Sequence, residues 1–403
     1  MDKDQTIELL REGYLWAPRM RRGAAAAPTR LLGRSAVVVG GPAGVRRFYD
    51  PRLRRRGSLP APIRLVLFGP GTVHGLDNAE HHKRKAMFLD LRTPAAVAEL
   101  ERRAEREWET AVRRWSSREQ VVLFDEAVHV LAASVLPWAG VPVTPDELPR
   151  RARQIATVLD GFATPGAADA KAVAARLAIG HWAKRLIRQV RADRIHPPPD
   201  SALTAAAAAR DTRGRLLPER TAATELLNVV RPTVAVAWFI TFAGRALHEH
   251  TEWRQRIAAG DEEALAAFVQ EVRRLYPFVP VLAARARRRQ DVLGVPLRRG
   301  GLVVLDVHGT DHDPEHWPDP DRFDPDRFLL GSIEPDALVP QGGGDVATGH
   351  RCPGEPIALA MLAAAVRTMA RLPTTLPPQD LDYDLSRIPT RPRSGVVLAT
   401  QSR

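Results

Sequence analysis

Apolar and polar residues follow each other along much of this chain with the period of an α-helix. From Thr93 to about Arg194, apolar residues recur three and four positions apart among many Ala, Arg and Glu, which predicts a series of helices. The segment "HPPPD" at 196–200 predicts a loop, because proline inside a helix removes a hydrogen bond and clashes with the preceding turn. The helical pattern returns from Glu219 to about Arg274, with one internal proline, Pro232. These two long segments predict a mainly helical protein.

Shorter segments carry strand and turn signals. "SAVVVGG" at 35–41 predicts a short buried strand that ends in a glycine turn, and "VLGVPLRRGGLVVLDVHG" at 292–309 alternates and turns like a hairpin. The proline-rich segment at 312–328 is too rich in aromatic residues for a disordered linker and predicts an ordered loop. A last helix is expected to begin near Glu355, followed by short strands. Because neither repeats nor an obvious linker appear, residues 1–403 are predicted to form a single domain, mainly α with a minor β region.

Composition narrows the class of protein. The chain has 403 residues, 44% of them hydrophobic, which is ample for a large buried core. No run of about 18 apolar residues appears, so no integral membrane segment is expected. The N-terminal segment is charged and lacks the apolar centre of a signal peptide. A single cysteine excludes an internal disulfide and suits a reducing cytosol, so we expect a cytoplasmic protein.

The net charge of +12 raises the question of an acidic partner. The arginines are scattered apart from "RRR" at 54–56 and "RARRR" at 285–289, and no zinc-finger spacing, basic heptad or aromatic stacking motif accompanies them. We therefore attribute the charge mainly to composition and expect no nucleic-acid partner. Electrostatic attraction of anionic substrates or lipid surfaces stays open.

The one cysteine, Cys352, lies in "PQGGGDVATGHRCPGEPIALAML" at 340–362, between a glycine-rich loop and an apolar helix. The glycines allow this loop to pass close beneath a flat group. A helix N-terminus stabilises a thiolate, and His350 and Arg351 add donors or positive charge, so we expect a lowered thiol pKa. Such a cysteine suits a nucleophile, with His350 as its base, a redox sensor or an axial ligand to iron. The glycine-rich context disfavours an inert buried thiol.

Two further motifs select among these roles. "EVRR" places Glu271 and Arg274 on one helix face, and "FDPDRF" supplies Arg327 before the cysteine loop. In this order the three motifs resemble the cytochrome P-450 superfamily over essentially the whole chain. The resemblance implies the cytochrome P-450 fold, with haem b (iron protoporphyrin IX) between the distal helix and the cysteine loop, and the Cys352 thiolate as ligand to the iron. It also implies that Glu271, Arg274 and Arg327 form a buried structural charge network.

The segment that corresponds to the distal helix, "ELLNVVRPTVAVAWFITFAGRAL" at 225–247, departs from ordinary monooxygenases of that superfamily. It lacks their acid–alcohol pair and carries Arg231 followed by Pro232. A buried arginine needs an anionic partner, and its planar guanidinium suits a carboxylate. Pro232 frees one backbone carbonyl and is expected to kink the helix and open space there.

Several stretches resemble a narrower family, the fatty-acid peroxygenases: "LFGPGTVHGLDNAEHHKRKAMF" at 67–88, "RPTVAV", "EVRRLYPFVP" and "PQGGGD…HRCPGE". Asp345 stands near the position of a phenylalanine usual in the superfamily, a departure that this family shares. The resemblance implies hydroxylation of a long-chain fatty acid at the α or β carbon by hydrogen peroxide, without NAD(P)H or a dedicated reductase. The substrate carboxylate, held by Arg231 next to Pro232, would act as general acid–base.

The resemblance also assigns individual residues. Those that match family positions holding the haem propionates are Arg55, His81 and Lys85. His350, two positions before the ligand, is a further candidate because propionates need cations. Those expected to line the substrate pocket are Leu67, Phe68 and Phe278.

His74 leaves the outcome of the reaction open. Hydroxylating members of the family tend to have glutamine at this position, and a member that forms terminal 1-alkenes by decarboxylation has histidine. His74 is therefore either a catalytic group that favours decarboxylation or a neutral polar lining residue without effect. Two further alternatives are a conventional monooxygenase that depends on redox partners and a haem sensor or carrier without turnover.

Overall fold

Helices form the greater part of the structure, a computed structural model that describes residues 3–161 and 167–400. The predicted mainly α fold with a minor β region is confirmed. The helices are α1 Thr6–Glu12, α2 Trp16–Arg21, α3 Gly41–Phe48, α4 Ala61–Ile63, α5 Asn78–Asp90, α6 Pro94–Trp115, α7 Leu123–Trp138, α8 Leu148–Gly161, α9 Ala167–Arg191, α10 Ala202–Ala208, α11 Glu219–Val234, α12 Val236–Glu249, α13 Thr251–Ala258, α14 Glu262–Leu275, α15 Val307–Asp311 and α16 Glu355–Ala370.

The strands form three small sheets. The largest has the order β1-β2-β8-β5-β3, a second has the order β4-β10-β9, and β6 pairs only with β7. The strands are β1 Ala26–Leu31, β2 Arg34–Val39, β3 Leu53–Arg54, β4 Gln120–Val122, β5 Val281–Ala286, β6 Gln290–Val292, β7 Val295–Leu297, β8 Leu302–Asp306, β9 Thr374–Thr375 and β10 Val397–Thr400.

The centre of the largest sheet is buried on both faces. β2 and β8 run parallel, with Val38 opposite Val304. Val37 and Val39 pack into one apolar cluster and Val38 into another, because successive side chains of a strand point to opposite faces. A run of consecutive valines suits this position, so the strand predicted at 35–41 is confirmed, with bounds at Arg34–Val39.

The hairpin predicted at 292–309 is only partly correct. The hairpin consists of β6 and β7, and β8 leaves it to pair with β2 and β5. All five residues of β8 are buried, whereas β6 and β7 each expose their middle residue. The first four residues of β8, 302–305, are apolar, and such a run is stable only inside a sheet, so β8 lies at the sheet centre and not in the exposed hairpin.

Capping residues fix where the helices of the core begin. Asp261 accepts a hydrogen bond from the Ala264 amide at 2.9 Å at the start of α14, and Thr93 accepts one from Ala96 at 3.2 Å at the start of α6. Pro94 occupies the first turn of α6, where its missing N–H has no helical partner to lose. The long helical region predicted from Thr93 is therefore confirmed, although β4 and short loops divide it.

Helices α11 and α12 pass through the main apolar core. Their combined stretch Glu219–Glu249 has the length and hydropathy of a membrane span, but 89% of its most apolar window is buried inside the protein. Trp238 and Phe242 are each at most 1% exposed. Within the described ranges this is the one stretch with such properties, and its burial identifies a core helix.

Candidate active site

A cleft lies between the α11–α12 junction and the loop that carries Cys352. Pro232, Thr233 and Val236 line one side, and Cys352 lines the other with the first turns of α16. This is the position in which the sequence resemblance places the haem. The remaining lining residues are Val73, His74, Phe88, Leu91, Arg92, Trp138, Asn228, Val229, Gln341, Pro353, Gly354, Ile357 and Ala358.

Arg273, which the sequence analysis missed, ties the cysteine loop to α14. It is 2% exposed, and its Nη2 donates to Gln341 Oε1 at 2.6 Å and to Glu355 Oε1 at 2.5 Å. The Cys352 amide donates to the Gln341 carbonyl at 3.2 Å. Arg351 donates to the second oxygen of Glu355. These contacts fix the position of Cys352 just before the N-terminus of α16.

The glycine run of the loop packs against Tyr49. Gly342 and Gly344 have φ values of 84° and 73°, and a Cβ on either would overlap the Tyr49 side chain. The Gly343 amide donates to the Tyr49 hydroxyl at 3.0 Å. The glycines therefore allow the loop to bend around an aromatic ring of the protein itself.

The expectation of a lowered Cys352 pKa is wrong for the protein alone. Burial raises the pKa of the thiol, and the nearby Glu355 carboxylate raises it further. The Gly354 amide, Lys85 and Arg273 act in the opposite direction but are outweighed. The helix terminus alone does not produce a thiolate here, whereas a bound metal cation would deprotonate a coordinating thiol outright.

The residues expected to hold propionates gather beside the cysteine loop. Lys85 is 2% exposed, and its Nζ donates to the carbonyls of Gly349 at 2.5 Å and Arg351 at 2.8 Å. The ring of His81 stacks on that of His350 with centroids 3.8 Å apart. Helix α5 is thereby joined directly to the loop before Cys352.

The structure corrects the expected charges of this group. Burial lowers the pKa of His350 to about 2 and that of His81 to about 4, so both rings are neutral at pH 7 and can only donate or accept hydrogen bonds. Burial lowers the pKa of Lys85 to about 8 and that of Arg55 to about 10, so both remain cations. His350 is therefore no candidate for positive charge.

These residues fit a thiolate-ligated haem. The Arg55 guanidinium lies 4.0 Å from the Phe48 ring and, in the part of the chain that the structure describes, contacts no carboxylate. An anionic propionate would supply the missing partner for Arg55, and for Lys85 an anionic acceptor in addition to its two backbone carbonyls. The sulfur opens into a largely apolar cleft, as a ligand to the iron of a flat macrocycle requires.

Arg231 lies at the end of a chain of buried polar groups. Its Nη2 donates to Asn228 Oδ1 at 2.9 Å, and Asn228 Nδ2 donates to Glu225 at 2.9 Å and to Thr72 Oγ1 at 3.1 Å. The second oxygen of Glu225 accepts from Arg84 at 2.6 Å. Glu225 is thus already paired, and Arg231 contacts no carboxylate among the described residues. Sequence reasoning missed Asn228 and Glu225, although both precede Arg231 on the same helix.

Arg231 stays charged despite its burial. It is 5% exposed, and burial together with the neighbouring Arg176 lowers its pKa to about 9. Its guanidinium lies 5.3 Å from the centre of the Phe68 ring. A cation without an anion thus stands beside the cleft at pH 7.

His74 is neutral and held in place. Its Nδ1 lies 2.8 Å from Thr72 Oγ1, and its ring stacks on Phe68 with centroids 4.0 Å apart. Burial lowers the pKa of His74 to about 3, and the charge of Arg231 adds to the effect. The side chain lines the cleft as an uncharged polar group.

Pro232 acts on the backbone as expected, but the helix breaks later. Without an N–H at Pro232, the Asn228 carbonyl loses its helical donor. The helix nevertheless continues to Val234, with the Ala235 amide donating to the Arg231 carbonyl at 3.0 Å. The interruption between α11 and α12 falls at Ala235.

The three predicted pocket residues have different surroundings. Phe68 contacts His74 and Arg231, as described above. Leu67 and Phe278 pack against the main apolar core, and Phe278 lies 4.9 Å from Phe239, ring centre to ring centre. None of the three is itself among the residues that line the cleft, although Phe68 stacks on His74, which is.

The three residues of the predicted charge network lie together on the far side of α14. Arg274 donates from Nε and Nη2 to the two oxygens of Glu271, each at 2.7 Å, and both side chains are at most 1% exposed. Arg327 Nε lies 3.4 Å from Glu271, and its other nitrogens donate to carbonyls of the proline-rich loop. The network therefore joins that loop to α14.

Comparison with known proteins gives one family throughout. The family model for cytochrome P-450 matches residues 263–379. A steroid 21-hydroxylase of Sus scrofa is 34% identical over 138 residues, which is 34% of this chain and 26% of that protein. The matched segment thus spans less than a third of the length of this curated relative.

Solved structures match over almost the full chain. Cytochrome P-450SP alpha (CYP152B1) in complex with (R)-ibuprophen is 37% identical, with a TM-score of 0.95 and coverage of 98% of both chains. Cytochrome P-450EX alpha (CYP152N1) with myristic acid is 36% identical, with a TM-score of 0.93 and coverage of 98% of this chain and 96% of that one. The chain therefore belongs to the cytochrome P-450 superfamily and, within it, to the family of fatty-acid peroxygenases that the sequence resemblance indicated.

Proposed function

We propose that the protein is a haem-thiolate peroxygenase that hydroxylates long-chain fatty acids at the α or β carbon with hydrogen peroxide. In this reaction Arg231 holds the substrate carboxylate, which acts as the general acid–base. The observation that carries the proposal is the buried, charged Arg231, which is hydrogen-bonded to the cleft-lining Asn228 while Glu225 is already occupied by Arg84. A buried guanidinium without an anion is costly, so a carboxylic acid is the ligand that the site requires. The related structures named above hold (R)-ibuprophen and myristic acid, both of them carboxylic acids.

Cys352 would hold the haem iron, with Arg55 and Lys85 as cations and His81 and His350 as neutral donors for the propionates. When bound, the haem supplies the iron that activates peroxide and the oxidising group for the carbon–hydrogen bond. The protein's own residues position the substrate and keep water out of the cleft.

Proton transfer is the step for which the described residues of the distal helix offer no free group. Thr233, next to Pro232, donates its hydroxyl to the Val229 carbonyl at 3.0 Å. Glu225 is committed to Arg84 and Asn228. Neither can pass protons to peroxide, so the substrate carboxylate takes that role, and a conventional monooxygenase with redox partners is disfavoured.

Regioselectivity follows from the anchoring. With the head group fixed on Arg231, carbons close to the carboxylate lie nearest the reactive centre, which favours the α and β positions. NAD(P)H and a dedicated reductase have no part in this scheme.

The test is turnover of myristic acid by haem-loaded protein with dilute hydrogen peroxide, with products identified by gas chromatography. Arg231→Met should lower kcat/KM by about 100-fold or more, since it removes a charge-assisted bidentate contact. Arg188→Met is the matched control, because Arg188 is an exposed arginine paired with Glu219 on the surface. Near-native turnover by Arg231→Met, or activity that requires NADPH and a reductase, would refute the proposal.

A second candidate function is decarboxylation to terminal 1-alkenes. The observation in its favour is His74, a neutral polar side chain that lines the cleft and is held by Thr72. In the same assay, alkenes that disappear in His74→Gln would support it. Identical product ratios in both proteins would reduce His74 to a lining residue.

A further inference from the structure

A second arginine is buried near Arg231 without an anionic partner. Arg176 of α9 is 9% exposed, and its one polar contact with the described residues is a long one, from Nη2 to Thr224 Oγ1 at 3.4 Å. Within that part of the chain its Nε has no hydrogen-bond partner. No carboxylate of residues 3–161 or 167–400 forms an ion pair with it. Nothing in the proposed mechanism uses this side chain so far.

The backbone leaves room for this guanidinium. Gly69 has a φ of 93°, and a Cβ there would overlap both the Arg176 guanidinium and the Thr224 hydroxyl. Gly69 directly follows Phe68, whose ring lies beneath Arg231. The two guanidinium groups therefore flank the same dipeptide, Phe68–Gly69.

Helix α11 sets the spacing between them. Thr224, Asn228 and Arg231 occupy one face, because residues four and seven positions apart lie above one another. Arg176 donates to the Thr224 side chain, and Arg231 donates to the Asn228 side chain. Because Thr224 and Asn228 are four residues apart, these two hydrogen bonds are about one helical turn apart, roughly 6 Å along the axis. The two oxygens of one carboxylate can each accept a hydrogen bond of about 2.9 Å, which suits a bridge across such a gap.

The charges of the side chains around Arg176 and Arg231 also favour the binding of an anion. Arg84 and Arg231 lie near Glu225, and Arg176 contacts the preceding residue, Thr224; all three arginines are buried or nearly buried, and Arg84 uses the carboxylate. Burial lowers the pKa of Arg176 to about 10, and Arg176 in turn depresses the pKa of Arg231. An anion between the two free guanidinium groups would relieve both the burial cost and their mutual repulsion.

We propose that Arg176 is the second arm of a two-arginine clamp that binds the substrate carboxylate together with Arg231. This rests on the proposed function, because it assigns a further contact to the same carboxylate. Arg176 fixes the head group from the side of α9, and Arg231 fixes it from the distal helix.

The test measures dissociation constants of myristic acid and of its neutral analogue, myristyl alcohol, for haem-loaded protein by calorimetry and by the change in Soret absorbance. Arg176→Met should weaken binding of the acid by about tenfold or more and leave binding of the alcohol within about twofold. Arg176→Lys, which keeps the charge, should retain an intermediate affinity. Arg188→Met, an exposed arginine on the same helix, should match the unmodified protein for both ligands.

Three results would overturn the clamp. Equal losses for acid and alcohol would mean that Arg176 only supports the local structure. Unchanged acid binding in Arg176→Met, with acid binding lost in Arg231→Met, would leave the proposed function standing and remove the clamp. Unchanged acid binding in both variants would remove the proposed function as well.

Discussion

The buried ion pair of α14 gives a stability prediction whose size can be derived from the structure. In Glu271→Gln the carboxylate that accepts two hydrogen bonds of 2.7 Å from Arg274 becomes a neutral amide. The same carboxylate accepts from the Asp324 amide at 2.8 Å and faces Arg327. Because Arg274 is 1% exposed, its charge would stay buried without an anion. Removing one partner of such a pair costs about 3–5 kcal/mol, out of a total stability of about 5–15 kcal/mol.

The asymmetry of buried pairs makes the prediction specific. The double variant Glu271→Leu with Arg274→Met removes both charges. Its loss in free energy of unfolding should therefore be smaller, by about 1–3 kcal/mol, than the sum of the losses in Glu271→Leu and Arg274→Met alone. It does not return to zero, because Arg274 also donates to the carbonyls of Asp311 and Pro320, at 3.0 Å and 2.8 Å. These contacts connect α14 to the end of α15 and to the proline-rich loop.

The assay is urea unfolding of the haem-loaded variants, followed by tryptophan fluorescence and by loss of the Soret band. Glu99→Gln is the control, since its pair with Arg103 at 2.9 Å is exposed on α6 and should contribute no more than about 0.5 kcal/mol. The reasoning would be refuted if Glu271→Gln cost less than about 1 kcal/mol, or if the loss in the double variant equalled the sum of the losses in Glu271→Leu and Arg274→Met.

Two further predictions concern backbone strain and pH. Gly69→Ala should destabilise the protein by more than about 1 kcal/mol in the same urea assay, because φ is 93° and a Cβ would overlap Arg176; unchanged stability would contradict this. Burial lowers the pKa of His312 to about 4, so the unfolded chain binds a proton near pH 6.5 that the folded protein refuses until about pH 4. The free energy of unfolding should therefore fall as the pH drops from 6.5 to 4, by at most about 3.4 kcal/mol from this residue. His312→Asn should flatten that dependence in unfolding measured at several pH values, and an unchanged slope would contradict it.

Local signals were sufficient for the helices, the strand at 35–41 and the cysteine loop. Helical periodicity and capping residues act within a few positions, so they can be read from one segment. The prediction of a hairpin at 292–309 was partly wrong because strand pairing depends on distant residues. Whether β8 pairs with β7 or with β2 depends on a partner strand more than 260 positions away, and only its run of four consecutive apolar residues pointed to the sheet centre.

The charges of the site could not be predicted from residue type. His350 was expected to carry positive charge and Cys352 a lowered pKa, but burial acts against the charged form of both and outweighs the neighbouring groups. The partners of Arg231 were also hidden, although Asn228 stands three positions before it, because the connection from Asn228 to Thr72 crosses 156 positions of sequence. Arg273 was overlooked beside the more familiar Glu271 and Arg274, since its role depends on contacts with the distant cysteine loop.

The distal helix shows why the free protein keeps unpaired cations in its interior. An acid on this helix could neutralise Arg231, but it would then compete with the substrate for the same guanidinium. Among the described residues the nearby acid, Glu225, instead pairs with Arg84, and Arg231 is hydrogen-bonded only to the neutral Asn228. An amide orients the guanidinium without cancelling its charge, so the electrostatic attraction is kept for the ligand. Under the proposed function, a carboxylic acid that enters the cleft supplies both the missing negative charge and the proton-carrying group, whereas an alcohol of the same length supplies neither.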